Sequence, residues 1–245
     1  MTNGRSPRIL ALWSAPRCRS TAFFRMMLER GDFHAVHEPF SNLAELGEVT
    51  LDGRSVTSQA DLMDRLRELS GARPVFFKDT TDERYPALLA DSAFLDRDAV
   101  HTFLIRAPQE TIASYFRLNP AVRAEQIGFE HQLEIFEAVR AATGRAPFVM
   151  TAEQLLADPS GTVLAFCAAA GIDFRPAALS WQPGHRAEWG PSQRWHEEVS
   201  RTSGFDAVRP TTEAADLVAG EPRLASILDY QQPFYLRLLE HAVRT

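Results

Sequence analysis

Lysine is almost absent from this sequence. Lys78 is the only one, and every other residue in the Lys+Arg total of 26 is arginine. A codon bias toward arginine accounts for the trend, and under such a bias a surviving lysine marks a place where a compact ammonium is needed. Cysteine is equally scarce. Cys18 and Cys167 stand alone in unrelated contexts, which excludes a disulfide framework. Long apolar runs are missing too. The longest, around Val163–Ile172, falls well short of the roughly 20 residues a membrane helix needs. Near the N-terminus only Ile9–Trp13 is apolar before Ser14, Pro16 and Arg17, which is too little for a secretory signal. A soluble, cytoplasmic protein with no membrane partner is expected. There is no excess of positive charge. A net charge of −6 disfavours a general nucleic-acid binder but leaves room for a small anionic substrate held by a local arginine cluster. The seven histidines are scattered, with no ligand-spaced pair beside acids, so no metal is expected.

What is present is a 245-residue chain, 45% hydrophobic, enough for one sizeable core. Strand-length apolar runs alternate with amphipathic stretches. Strands are expected at Arg8–Trp13, Phe33–His37, Pro74–Phe77, Val100–Ile105 and Pro147–Met150. Helices are expected at Ser20–Arg30, Ser58–Leu69, Pro108–Leu118, Phe129–Ala142 and Pro159–Ala170. Glu221–Val243 reads as helical with a break or kink at Pro233. The alternation predicts an α/β fold, a parallel sheet with helices on both faces. One domain over 1–245 is expected, its core at about 8–172 and a helical lid region at about 173–245.

Ligands of such sheets bind at the carboxyl ends of the strands. Four of the expected strands deliver Arg17, His37, Glu38, Lys78 and Arg106 to that edge. Any one of them is an ordinary solvated charge at a strand end; together they point to an anionic ligand. Pro16-Arg17-Cys18-Arg19-Ser20-Thr21 joins a strand to a helix start. Backbone N–H groups at such a turn meet the positive end of the helix dipole and cradle a phosphate. The loop is not a Walker motif, because the G-x-x-x-x-G-K-[ST] pattern is missing. Its plainer reading is a helix capped by Ser20. Arg106 leaves a strand and Ser114 lies eight residues on, in the following helix, so both reach toward one phosphate.

These two segments resemble the sulfotransferase family. Pro16–Thr21 is similar to its 5′-phosphosulfate loop, P-[KR]-[SC]-x-[ST]-T. Arg106, Pro108, Ser114 and Tyr115 match its 3′-phosphate motif, R-x-P-x-x-x-x-x-S-x-[YF]. Thr151–Pro159, followed by a helix to Gly171, is similar to a third family stretch, and the likeness covers about residues 8–172. The resemblance implies a P-loop-like fold and 3′-phosphoadenosine 5′-phosphosulfate as co-substrate. It places backbone groups of Cys18, Arg19, Ser20 and Thr21 on the donor's 5′ end, Arg17 on the bridging oxygen, and Arg106 and Ser114 on the 3′-phosphate. Lys78 is expected to stabilise charge on the transferring group. The acceptor is then a small molecule, sulfated on a hydroxyl or, second, an amine.

The sequence also departs from the family. Cytosolic members carry a K-x-H stretch whose histidine is the base; here it is Lys78-Asp79-Thr80. Other members use a glutamate before proline after the second strand, and Glu38-Pro39 fits them. Glu38 is therefore the candidate general base, with His37 second and a structural ion pair to Arg17 or Lys78 as Glu38's alternative role. Ala22 stands where cytosolic members place an adenine-stacking tryptophan, and a late R-K-G motif has no counterpart. Trp181, Trp189 and Trp195, with Arg186 and Arg194, lie in a stretch that either lines the pocket or simply packs. Two other functions stay open on sequence alone: a P-loop-type small-molecule kinase and a catalytically silent nucleotide-binding module.

Overall fold

A computed structural model describes residues 8–190, 197–205 and 212–243. The first half runs β1 (Ile9–Ser14), α1 (Ser20–Arg30), β2 (His34–His37), α2 (Pro39–Leu46), β3 (Val49–Leu51), β4 (Arg54–Val56) and α3 (Gln59–Ala72). Then come β5 (Val75–Thr80), α4 (Pro86–Ala90), β6 (Ala99–Ile105), α5 (Pro108–Phe116), α6 (Phe129–Thr143) and β7 (Phe148–Thr151). The chain continues through α7 (Ala152–Ala157), α8 (Pro159–Ala170), α9 (Glu197–Ser200), α10 (Glu213–Gly220) and α11 (Pro222–Leu239).

Five strands form one parallel sheet in the order β2–β5–β1–β6–β7. β1 is central and pairs along its whole length, Ile9 with Val75 on one side and Ala99 on the other. All six residues of β1 and all six of β5 are buried, as parallel strands covered on both faces require. Trp13 packs against Phe40, Phe77 and Tyr85, and its indole N–H donates to Nδ1 of His101 at 2.9 Å. Burial lowers the His101 pKa to about 4, so the ring is a neutral core element.

Two expectations are corrected. β5 does not end at Phe77 but continues to Thr80, because Lys78 and Asp79 are both buried and satisfied. Pro233 does not end the C-terminal helix; α11 runs through it. Of the expected lid region, the segment at Glu198, Val199 and Thr202 reaches the cavity described below. The helices α10 and α11 instead brace α5 and α6. The Gln231 side chain accepts from the Phe129 N–H at 3.0 Å and donates to the Ala124 carbonyl at 2.7 Å. Among the described residues no helix is long and apolar enough to cross a membrane.

Candidate active site

The C-terminal ends of β1, β2, β5 and β6 open into a cavity of about 350 Å³. That lies within the size range of small-molecule sites. The cavity sits above β1, where the chain's crossovers leave to opposite sides of the sheet, the position the fold favours for ligands.

The loop from β1 to α1 forms one wall. Arg17 and Arg19 both have left-handed backbone conformations, φ 64° and 68°. Of the four non-glycine residues with positive φ among those described, Arg17, Arg19 and Glu38 all line this cavity. Such conformations cost about 1–3 kcal/mol each and collect where a site demands them. The α1 N-terminus begins at Ser20 and its N-cap, Arg19, makes no side-chain capping bond. Ser20 is thus the first helical residue rather than the cap, and the helix presents its positive end to the cavity.

Arginines concentrate at this wall. Arg17 Nε donates to Ser114 Oγ at 3.0 Å, and Arg106 donates to the Arg17 carbonyl at 3.0 Å and to Glu110 at 2.8 Å. The loop motif and the β6–α5 motif, distant in sequence, are therefore locked together. Burial lowers the Arg17 pKa from its ordinary value, Glu198 at 3.7 Å opposes that, and Arg106 and Arg19 add to the lowering. The wall holds like charges close together in partial burial, which an incoming anion relieves. Cys18 does not face the cavity. Its side chain is buried against Thr111 at 3.7 Å, and burial pushes its thiol up to about 12, so it packs as a small residue.

The opposite wall is built on Glu38. Its φ is 48°, it precedes α2, and Pro39 occupies the first helical position. Asp79 pins this corner: its carboxylate accepts from the N–H of Phe40 at 2.6 Å, Ser41 at 3.0 Å and Thr80 at 3.0 Å. Glu38 forms a buried ion pair with Lys78, and its other oxygen lies 3.6 Å from Nδ1 of His37. The His37 side chain is fully buried, edge-on to Phe24 at 4.9 Å, and does not line the cavity. Glu38 and Lys78 both do.

A sulfotransferase-domain family model matches residues 7–235. The chain belongs to the sulfotransferase family. The P-loop-type kinase reading is thereby set aside. Two curated Arabidopsis thaliana relatives, branched-chain-amino-acid aminotransferase-like proteins 1 and 2, are 26% and 24% identical over 82% and 81% of this chain. The chain spans a little over a third of those relatives, 37% and 36% of their length. Among solved structures, the sulfotransferase domain of the Synechococcus PCC 7002 olefin synthase superposes with a TM-score of 0.52 at 17% identity, covering 98% of this chain and 97% of that one. That likeness shows the shared fold.

In this sulfotransferase the cavity gathers Arg17, Arg19, Ser20, Thr21, Glu38, Lys78, Arg106 and Ser114 from the sequence candidates, and leaves out the side chains of Cys18 and His37. Trp181 packs edge-on against Phe205 at 5.3 Å, Trp189 is buried, and Arg186 reaches Glu29 at 3.4 Å; none of the three lines the cavity. Arg194 and Trp195 lie outside the described residues. Sequence reasoning missed Glu45, Asp82, Glu83, Asn119 and Gln126, which also line the cavity. They lie on loops and on a helix that the sequence did not announce, and only Asp82 and Glu83, just past the Lys78 strand, carried a signal.

Proposed function

We propose that this sulfotransferase moves a sulfuryl group from 3′-phosphoadenosine 5′-phosphosulfate to a hydroxyl of a small acceptor in the cytoplasm. The observation that carries this reading is the joining of two anion motifs in one cavity, through the bond from Arg17 to Ser114 and that from Arg106 to the Arg17 backbone. A donor with two separated phosphate-type groups fits that pair better than a donor with one polyphosphate tail. The left-handed loop and the α1 N-terminus fit the 5′ end, with backbone groups of residues 18–21 and the Arg17 guanidinium as its contacts. Arg106 and Ser114 are the partners for the 3′-phosphate. The donor supplies an electrophilic sulfur and a phosphate leaving group.

The chain's own residues then divide the work. Glu38 takes the acceptor's hydroxyl proton as the acceptor oxygen bonds to sulfur. The bond from sulfur to the phosphate oxygen breaks, and Arg17 and Lys78 stabilise the charge left on that oxygen. Lys78 rests on Glu38 in the structure. An anionic donor gives the ammonium a second partner, and turning toward it loosens its hold on the Glu38 carboxylate. His37, behind Glu38 at 3.6 Å, orients the carboxylate from the buried side.

The test is turnover. Glu38→Gln keeps shape and removes basicity, and is expected to lower turnover by roughly 10²–10⁴ while affinity for 3′-phosphoadenosine 5′-phosphate (PAP) is retained. His37→Gln is expected to cost much less. Near-normal turnover in Glu38→Gln, with His37→Gln inactive, reverses the assignment.

A further inference from the structure

The helix that begins beside the proposed base is capped by a side chain from another strand. An N-cap side chain ordinarily accepts from the N–H of the second or third helical residue. Three helices of this chain follow that rule. Ser58 accepts from Asp61 at 3.1 Å in α3, Thr151 from Gln154 at 3.1 Å in α7, and Asp158 from Gly161 at 2.9 Å in α8. In α2 the N-cap is Glu38, and its side chain makes no capping bond. The first helical residue, Pro39, has no N–H to satisfy. The second and third, Phe40 and Ser41, both donate to Asp79, at 2.6 and 3.0 Å.

Asp79 is well placed to hold this role. It stands on β5, next to β2, and is fully buried. Both of its oxygens are used: Oδ2 accepts from Phe40, and Oδ1 from Ser41 and Thr80. Burial raises its pKa well above the ordinary value, and the Phe40 and Ser41 N–H groups oppose that rise. The Phe40 N–H is itself buried, so losing its acceptor would be costly. Asp79 does not line the cavity, so it does not meet donor or acceptor.

The consequence falls on Glu38. An N-cap carboxylate is the local alternative acceptor for the Phe40 and Ser41 N–H groups. With Asp79 in that place, the Glu38 carboxylate lies instead against Lys78 and lines the cavity. The Glu38 N–H donates to the Lys78 carbonyl at 2.8 Å, which continues the β2–β5 ladder by one residue. Two successive residues of β5 therefore hold Glu38, Lys78 by its backbone and carboxylate and Asp79 by the helix that follows it.

We propose that Asp79 is a positioning residue for sulfuryl transfer: it caps α2 in place of Glu38 and so keeps the Glu38 carboxylate turned to the cavity. The inference rests on the reading of Glu38 as the base. Asp79→Asn keeps an acceptor toward Ser41 and Thr80 but places an NH2 group against the Phe40 N–H. That N–H then draws the Glu38 carboxylate back onto its own helix.

The experiment has two arms. The first needs no acceptor and follows amide hydrogen exchange at Phe40 and Ser41 in the parent, Glu38→Ala, Asp79→Asn and the double variant. Glu38→Ala alone is expected to leave exchange within about threefold of the parent, because Asp79 is the cap. In the Asp79→Asn background the same change is expected to speed exchange roughly tenfold or more, because Glu38 has taken over the capping. A cap that is merely structural predicts no such dependence on Glu38. Fast exchange in Glu38→Ala with Asp79 intact overturns the inference, and this reading holds even where Asp79→Asn does not fold.

The second arm follows labelled sulfuryl transfer from the donor to 2-naphthol and to water, with PAP affinity by calorimetry. Asp79→Asn is expected to lower turnover roughly tenfold or more with PAP affinity kept, and to cost nothing further when added to Glu38→Gln. Losses that multiply in the double variant, or full turnover in Asp79→Asn, overturn the inference and leave Glu38 as the base. Full turnover in Glu38→Gln removes the base reading and the inference with it. If PAP does not bind the parent, the sulfuryl-transfer reading itself falls.

Discussion

Lys78 and Glu38 meet because β5 and β2 are neighbours in register, His37 opposite Lys78, and the next residue turns left-handed into α2. The sequence offered an ion pair of Glu38 with Arg17 or Lys78 as an alternative to its role as base, and the structure shows the pair with Lys78. The sequence could not choose the partner, because the pair depends on a strand order that links residues 40 positions apart. The arginines were more legible, since each sits in a motif with its own spacing. On the proposed role of Arg106 at the 3′-phosphate, PAP affinity of Arg106→Ala in calorimetry is expected to fall by roughly ten- to a hundredfold. Unchanged affinity in a folded variant refutes that role. Asp82 was not legible, because a carboxylate just past a strand looks like any surface acid. Its folded pKa, about 6, lies above the ordinary carboxylate value, so the folded state binds the extra proton. Its contribution to stability is therefore present at low pH and lost as pH rises from about 4 to about 6. Asp82→Asn is expected to melt like the parent at pH 4 and to be more stable at pH 7, by about 1–3 kcal/mol. A constant difference across that range contradicts the burial account.

At the scale of elements, α1 was read to the residue, because Phe23, Phe24 and Met27 mark its buried face and Gly31 its stop. β5 was read three residues short, because Lys78, Asp79 and Thr80 look like a loop until their buried partners are known. α2 was missed, because its N-terminus is completed from another strand, by Asp79. A similar long-range tie holds the acidic loop. Thr81 donates from its N–H to the Ser14 carbonyl at 3.1 Å and from its hydroxyl to the Gly128 carbonyl at 2.9 Å. Gly128 has φ +86°, and a Cβ there would lie 2.7 Å from the Thr81 carbonyl oxygen. Gly128→Ala is expected to cost about 1–3 kcal/mol in denaturant unfolding. An unchanged unfolding midpoint contradicts the close approach.

At the scale of the whole molecule, a chain of net charge −6 still gathers three arginines, Arg17, Arg19 and Arg106, at one cavity. The parallel sheet makes this possible, since all five strands point their C-terminal ends to the same edge. Alternating strands and helices were visible in the sequence for that reason, while the residues of the expected lid region that reach the cavity, Glu198, Val199 and Thr202, were not singled out. The account's central claim is that two joined motifs bind a donor with separate 5′ and 3′ groups. A thermal-melting titration with PAP against ADP tests it most directly. At 100 times its dissociation constant a ligand stabilises by about 2.7 kcal/mol. PAP is expected to raise the melting temperature far more than ADP does at the same concentration, and Arg106→Ala to remove most of that difference. Equal shifts from PAP and ADP would contradict the assignment of Arg106 and Ser114 to the 3′-phosphate.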